Sequence, residues 1–177
     1  LQRNPVDDWN RHRNDIANLT RFIEQRWQKE MTWQVVDFQA AQVNDLLTTP
    51  VLFLNGRDGL DFSEEEIDKL QRYIEHGGFL FAEACCDGER FDRDFRELVT
   101  KMFPQSQLRL LPAGHPIWHA ESPIDPKHVV PLYGVDACCR TSIVYCPQDL
   151  SCYWELSRVR GDQKEKFSLE IQEEIEA

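Results

Sequence analysis

The sequence lacks a basic patch and carries little positive charge. Its 20 Lys and Arg residues stand against 31 Asp and Glu residues, so the formal net charge is −11 over 177 residues. An anionic surface repels nucleic-acid phosphates and anionic lipid headgroups. The sequence also has no apolar run of about 18 residues, the length that a membrane-spanning helix needs. We therefore predict no nucleic-acid partner and no direct membrane insertion by this chain.

Glycine and cysteine are also scarce, with 8 and 6 residues respectively. No glycine-rich loop followed by Gly-Lys-Ser or Gly-Lys-Thr occurs, which excludes a phosphate-binding loop of that type. The cysteines are too few for a small disulfide-stapled protein. Because neighbouring side chains of a strand point to opposite faces, Cys138 and Cys139 are not expected to bond each other, and we predict free thiols.

Short apolar segments alternate with amphipathic ones, and this alternation is typical of a parallel, doubly wound α/β sheet. The composition, 41% hydrophobic and 29% charged, predicts one globular domain over the whole chain, residues 1–177. Segments of strand-like composition lie at 33–38, 51–54, 79–84 and 108–111, with a β-hairpin at 132–138 and 141–146. Segments with helical periodicity lie at 14–30, 63–77, 95–103 and 167–175.

The clearest local signal surrounds Ser63. Its hydroxyl can accept a hydrogen bond from a backbone amide of the first turn, while Glu66 reaches back to the Ser63 amide, as in the Ser-x-x-Glu capping box. Phe62 and Ile67 flank this box as a hydrophobic staple, and Gly77 supplies the left-handed residue that ends a helix. A helix is therefore predicted to begin directly after Ser63.

Polar residues follow the predicted strands at the edge where open α/β sheets bind ligands, outside the carboxyl ends of the strands. Two of these turns follow the apolar strands at 51–54 and 79–84, and a third lies at 114–119. Arg57 is the cation best placed to bind an anion. We interpret five residues of these turns as candidate ligand contacts: Asn55, Gly56, Arg57, Asp87 and Trp118.

Cys86 is the candidate nucleophile. The pattern Ala84-x-Cys86-x-Gly88 lies between a predicted strand and a predicted helix, and it has the small-x-nucleophile-x-small form of a nucleophile elbow. A general base would have to come from His115 or His119. The alternative interpretation is that Cys86 is unreactive and that His115 braces its own loop by hydrogen bonds.

The same two histidines raise the question of a metal site. They are four residues apart and, with Cys86 as a third ligand, could hold a metal ion. That spacing brings both imidazoles onto one face only in a helix, and Pro116 with the surrounding prolines opposes a helix there. We therefore predict neither a metal ion nor a cofactor.

Taken together, several segments resemble a bacterial family catalogued as domain of unknown function 4159. The resemblance covers most of the chain and rests on PVLFLNG at 50–56, FSEEE at 62–66, HPIWH at 115–119, YGV at 133–135 and YCPQDLSC at 145–152. It implies a three-layer, flavodoxin-like sandwich akin to class I glutamine amidotransferases, with a mostly parallel sheet and an added β-hairpin. It also implies that the chain starts and stops just inside the terminal strands of the family, as a trimmed domain.

The resemblance also suggests how a catalytic site would be arranged. In glutamine amidotransferases, the elbow cysteine works with a histidine and a glutamate two positions apart. Cys86 matches the elbow, and His119 with Glu121 has the required spacing, whereas the residue two positions after His115 is Ile117. Such folds also serve as non-catalytic binding domains.

Three functions follow from these observations. We expect a non-catalytic domain that binds a small ligand or a protein partner. The alternative is a cysteine-dependent amidohydrolase that uses Cys86 with His115 or His119. A third hypothesis is a structural assembly module that docks through the hairpin region, where Tyr153 and Trp154 would form an exposed aromatic anchor.

Overall fold

A computed structural model of the protein describes His12 and residues 14–121, 124–125, 129–137 and 139–156. The chain divides into two compact units, and we describe each by itself. Within the described residues, the first unit comprises 35–111 and 131–149, and the second comprises the remainder. The helices are α1 (Asp15–Trp27), α2 (Val43–Leu46), α3 (Glu64–Glu75), α4 (Glu89–Met102) and α5 (Ser151–Leu156), with a 3₁₀-helix at Pro116–His119.

The first unit contains a five-stranded sheet. Its strands are β1 (Val51–Gly56), β2 (Phe79–Ala84), β3 (Arg109–Leu110), β4 (Tyr133–Ala137) and β5 (Arg140–Cys146), arranged in the order β1-β2-β5-β4-β3. The β1–β2 and β2–β5 pairs are parallel, whereas β5–β4 and β4–β3 are antiparallel. The sheet is therefore open and mixed, and the prediction of a mostly parallel sheet is wrong. The fold class is α/β.

The antiparallel β4–β5 pair comes from the β-hairpin that the sequence predicts at 132–146. A tight turn between β4 and β5 can only reverse the chain direction, so these two strands must be antiparallel. The hairpin joins the main sheet through β5, which pairs with β2 over Leu80↔Ile143 to Glu83↔Cys146. As a result, β1, β2 and β5 run in the same direction, and their carboxyl ends lie at one edge of the sheet.

Helices α3 and α4 cover one face of this sheet. Phe95 of α4 stacks on Tyr145 of β5, with ring centroids 4.6 Å apart, and Phe91 stacks on Phe95 at 5.9 Å. Gly56 leaves room for α4, since an added Cβ would lie 2.6 Å from the Phe91 ring. Alternate residues of the three parallel strands share this core with both helices: Leu52, Leu54, Leu80, Ala82, Ile143 and Tyr145.

A polar cluster also joins α4 to the hairpin. The Tyr145 hydroxyl donates to Asp92 Oδ1 at 2.7 Å, and Arg96 Nε donates to the same carboxylate at 3.0 Å. The Arg96 guanidinium lies 4.6 Å from the centre of the Tyr133 ring. Burial alone would raise the pKa of the Asp92 carboxyl, but the hydrogen bonds from Arg96 and Tyr145 outweigh it and lower the pKa below its ordinary value of 3.8.

The capping box at Ser63 is confirmed. Ser63 Oγ accepts from the Glu66 amide at 3.3 Å, and Glu66 Oε2 accepts from the Ser63 amide at 2.8 Å. The box satisfies two backbone donors that the helix itself leaves without partners.

We therefore expect Ser63→Ala to lower the free energy of unfolding by about 1 kcal/mol, because the alanine side chain has no oxygen to accept the Glu66 amide. Urea denaturation of the two proteins measures the difference. Ser106→Ala, at a serine outside any helix N-terminus, serves as the control. Equal unfolding midpoints for wild type and Ser63→Ala would contradict this role of the box.

The second unit contains α1 and α5, which hold each other through a few polar and aromatic contacts. Asn18 Nδ2 donates to the Trp154 carbonyl at 2.8 Å, and the Phe22 and Trp154 rings are 5.0 Å apart. The Asn14 backbone amide donates to the Glu155 carboxylate at 2.6 Å. The predicted helix at 14–30 is thus confirmed as α1, while α5 was not predicted. Its residues Tyr153 and Trp154, the proposed assembly anchor, are partly buried.

The strand predicted at 33–38 is not present. Residues 33–38 do not form a strand: Trp33 and Val35 are 49% and 44% exposed, and Asp37 makes only an isolated bridge. Their β-branched and aromatic composition favours a strand only where a neighbouring strand pairs with it along its length.

The predicted helix at 167–175 lies outside the described residues. Among the described helices, none combines the length and apolar character needed to cross a membrane.

Candidate functional site

The turns that follow β1, β2 and β5 are in direct contact. The Cys85 amide donates to the Gly56 carbonyl at 2.9 Å, which joins the first two turns. The Cys86 amide donates to Asp149 Oδ2 at 3.0 Å, which joins the second turn to the segment after β5. We call this surface the strand-end rim and define it by seven residues: Asn55, Gly56, Arg57, Cys85, Cys86, Asp87 and Asp149.

Gly88 permits the close approach of the first two turns. A Cβ added at this position would lie 2.9 Å from the Gly56 carbonyl oxygen, 3.0 Å from Arg57 Cα and 3.0 Å from the Cys85 carbonyl oxygen. All three atoms belong to the backbone and cannot rotate away. The second small residue of the elbow pattern, Gly88, is therefore required by the packing of backbone against backbone.

The backbone between β2 and α4 is unusual. Cys86 has φ 53° and Asp87 has φ 58°, so two successive non-glycine residues adopt the left-handed conformation. Few non-glycine residues do so, and aspartate tolerates it better than cysteine because its short polar side chain can hydrogen-bond locally. Conformations of this kind concentrate at functional sites.

Carboxyl groups surround the thiols at and near the rim. Cys86 Sγ lies 3.6 Å from Asp149 Oδ2 and donates a hydrogen bond to it. Burial, the neighbouring Cys86 thiol and the negative charges of Asp149 and Glu83 raise the pKa of the Cys85 thiol to about 12. Burial likewise raises the pKa of the Cys146 thiol to about 11. The Cys85 and Cys146 thiols are therefore neutral near pH 7, and neither is a ready nucleophile.

The rim residue Asp149 and its neighbour Glu83 were not predicted from the sequence. Glu83 is completely buried on β2, where it pairs in register with Asn55 of β1 and Cys146 of β5. A charged residue inside the apolar run FLFAEA is the signal that could have identified it. Asp149 follows β5, so it would have been found once β5 was placed beside β2 with its carboxyl end at the same edge.

The predicted residues at 115–119 belong to the second unit, and each has a local hydrogen bond. His115 Nδ1 accepts from the Ile117 amide at 3.2 Å and so caps the 3₁₀-helix. Trp118 is buried and its Nε1 donates to the Pro112 carbonyl at 3.1 Å. His119 Nε2 donates to the Ala113 carbonyl at 3.3 Å. The hypothesis that His115 braces its own loop is thus supported by its geometry.

Glu121 was the candidate acid beside His119. Its carboxylate accepts from Arg26 Nε at 2.9 Å and from Trp27 Nε1 at 3.3 Å.

The segment Pro116–His119 is a 3₁₀-helix, in which three residues complete a turn, so side chains four positions apart do not share a face. The four-residue spacing of His115 and His119 therefore gives no support to the metal site considered above.

The family of the chain follows from a match over nearly its whole length. A model of the family described as a domain of unknown function, DUF4159, matches residues 1–172. The chain belongs to this family. The DUF4159 match includes every residue of the strand-end rim as well as the loop that carries His115 and His119. No curated protein matches the chain.

Proposed function

We propose that this DUF4159 domain is a non-catalytic binding domain whose ligand contacts the strand-end rim. We further propose a flavodoxin-like fold of the class I glutamine amidotransferase type. Its support is the parallel β1-β2-β5 core and the cysteine turn between a strand and a helix. In folds of this kind, ligands bind outside the carboxyl ends of the parallel strands.

The non-catalytic assignment rests on the hydrogen bond from the Cys86 thiol to the Asp149 carboxylate. A cysteine nucleophile acts as a thiolate, and it is usually activated by an imidazole or by another nearby positive charge. Within the first unit, Cys86 Sγ donates a hydrogen bond to the carboxylate of Asp149, so the group that it contacts there carries a negative and not a positive charge. His115 and His119 each use a ring nitrogen to hold their own loop.

The rim offers groups of both charges to a ligand. Arg57 is exposed and supplies a cation, while Asp87 of the rim and Asp58, which follows Arg57 in the chain, are exposed and supply carboxylates. Asn55 of the rim adds a half-buried amide. A small zwitterion, with a carboxylate for Arg57 and an ammonium group for the aspartates, complements this set. We therefore propose the amino-acid class as the ligand.

A cysteine-dependent amidohydrolase remains the second candidate, and one observation favours it. The left-handed backbone at Cys86, directly between β2 and α4, is the strained strand-to-helix turn that a nucleophile elbow requires. The two candidates differ in a measurable way, because a hydrolase releases ammonia from an amide substrate and a binding domain does not.

L-Glutamine distinguishes the two, since it is both an amino acid and an amide. We expect calorimetric titration to give saturable binding without ammonia release, and Cys86→Ser to retain binding. Arg57→Ala should weaken binding at least about tenfold, because it removes the charge-assisted hydrogen bonds to the carboxylate. Arg109→Ala, on the far edge strand β3, is the matched control and should bind like wild type.

Two results would contradict the proposal. Ammonia release that disappears in Cys86→Ser would establish the amidohydrolase instead. Failure of L-glutamine and of all other common amino acids to bind would remove the proposed ligand class.

A further inference from the structure

The thiols of Cys85 and Cys86 lie side by side. Their Sγ atoms are within 4.8 Å of each other, although the residues are adjacent in the chain. Neighbouring side chains of an extended strand point to opposite faces. The left-handed φ of 53° at Cys86 breaks this alternation directly after β2 and brings both sulfur atoms to one side. The fold therefore builds a vicinal dithiol at the rim.

Distances favour a shared cation over a disulfide for this pair. A trans peptide holds adjacent Cα atoms about 3.8 Å apart, whereas disulfides join residues with Cα atoms roughly 4.4–6.8 Å apart. A disulfide between Cys85 and Cys86 would therefore be strained. A zinc–sulfur bond is about 2.3 Å long, so two sulfurs on one tetrahedral ion are roughly 3.8 Å apart. The two Sγ atoms lie within 4.8 Å of each other, so a small movement allows them to share one ion.

The charges around the pair also favour a cation. Asp149 Oδ2 lies 3.6 Å from Cys86 Sγ and offers a third donor atom. Glu83 is completely buried two residues before Cys85 and places a further carboxyl group nearby. A bound divalent cation would offset the negative charge that these two carboxyl groups place beside the thiols.

We propose that Cys85, Cys86 and Asp149 bind a thiophilic divalent cation of the zinc class, with Glu83 as a buried counter-charge. Two sulfur donors with one carboxylate oxygen suit zinc better than magnesium or calcium, which prefer oxygen alone. Water would complete the tetrahedron. This inference goes beyond the proposed function and does not depend on it, because it concerns the thiols and not the amino-acid ligand.

Titration of the reduced full chain with Zn²⁺ against a chromophoric chelator tests the site, and Cd²⁺ reports thiolate ligation through its ultraviolet charge-transfer band. We expect one ion per chain and a cadmium–thiolate band. Cys85→Ser and Cys86→Ser should each weaken binding at least about 100-fold, and Asp149→Asn about 10-fold or more. Cys139→Ser removes an exposed thiol of the β4–β5 turn and should leave affinity unchanged.

Circular dichroism identifies any variant that fails to fold, and the charge-transfer band of the wild type then remains as a test without mutation. Absence of stoichiometric Zn²⁺ binding and of the band in folded wild type would overturn the inference. Equal zinc affinity of wild type and a folded Cys86→Ser variant would also overturn it. Zinc binding without amino-acid binding would support the zinc site and contradict the proposed function. Amino-acid binding without zinc binding would support the proposed function and contradict the zinc site.

Discussion

Gly88→Ala should lower the free energy of unfolding by about 3 kcal/mol, which is at the upper end of the usual cost of overpacking. The added methyl group would meet the Gly56 carbonyl oxygen, Arg57 Cα and the Cys85 carbonyl oxygen at 2.9–3.0 Å. These steric clashes can be relieved only if the turns after β1 and β2 move apart. Chemical denaturation measures the loss, and we expect L-glutamine binding to weaken with it because the rim loses its geometry.

Gly114→Ala is the matched control for this prediction. An added Cβ at Gly114 has nothing within 4 Å, so we expect a change within about 0.5 kcal/mol. If Gly88→Ala and Gly114→Ala unfold at the same denaturant concentration as wild type, the close contact between the two turns is not present in solution.

Asp92→Ala should also lower the free energy of unfolding strongly, by about 3 kcal/mol at neutral pH. It removes the acceptor of the buried Tyr145 hydroxyl, at 2.7 Å, and the partner of Arg96. An unsatisfied buried hydroxyl costs roughly 1–3 kcal/mol, and loss of the bond to Arg96 adds to that cost. Tyr145→Phe is the control: it removes one hydrogen bond but leaves the Asp92–Arg96 pair, so its loss should be smaller.

The effect of Asp92→Ala should depend on pH. The pKa of Asp92 is lowered in the folded state, so the unfolded chain binds its proton more readily. Stability from Asp92 is then fully present above the unfolded value of 3.8 and is lost as the pH falls through the lower folded value. Denaturation curves at about pH 7 and about pH 3 should show a smaller wild-type advantage at the lower pH. An unchanged advantage would show that the Asp92 charge contributes nothing.

Elements with local signals were predictable from the sequence. The capping box at Ser63 places the start of α3 correctly, because side-chain oxygens and backbone amides three residues apart need no tertiary contact to meet. The strand predicted at 79–84 coincides with β2, since an apolar run that follows Gly77-Gly78 has few other ways to be buried.

Elements that depend on distant partners were not predictable. The segment at 33–38 has a strand-like composition but lacks the neighbour that a strand requires. The order of the sheet is a long-range property as well: nothing near residues 140–146 indicates that β5 pairs with β2. For that reason, Asn55, Arg57, Cys86 and Asp87 are predictable from the sequence as rim residues, whereas Asp149 is not.

The close approach of the Cys85 and Cys86 thiols was also not predictable from the sequence. The alternation rule for strands places adjacent thiols on opposite faces, and it fails here because the strand ends at Ala84. Beyond that point, the φ of Cys86 decides where its sulfur lies. A left-handed cysteine is not indicated by residue type, since cysteine has no propensity for that conformation.

The central claim is that the turns after β1, β2 and β5 form one binding surface. Backbone amide shifts of isotope-labelled protein, recorded during titration with L-glutamine, test it most directly. We predict that the largest shifts cluster at residues 55–58, 85–88 and 148–149 and follow one saturation curve. Shifts confined to one of these turns, or to residues outside all three, would contradict the claim.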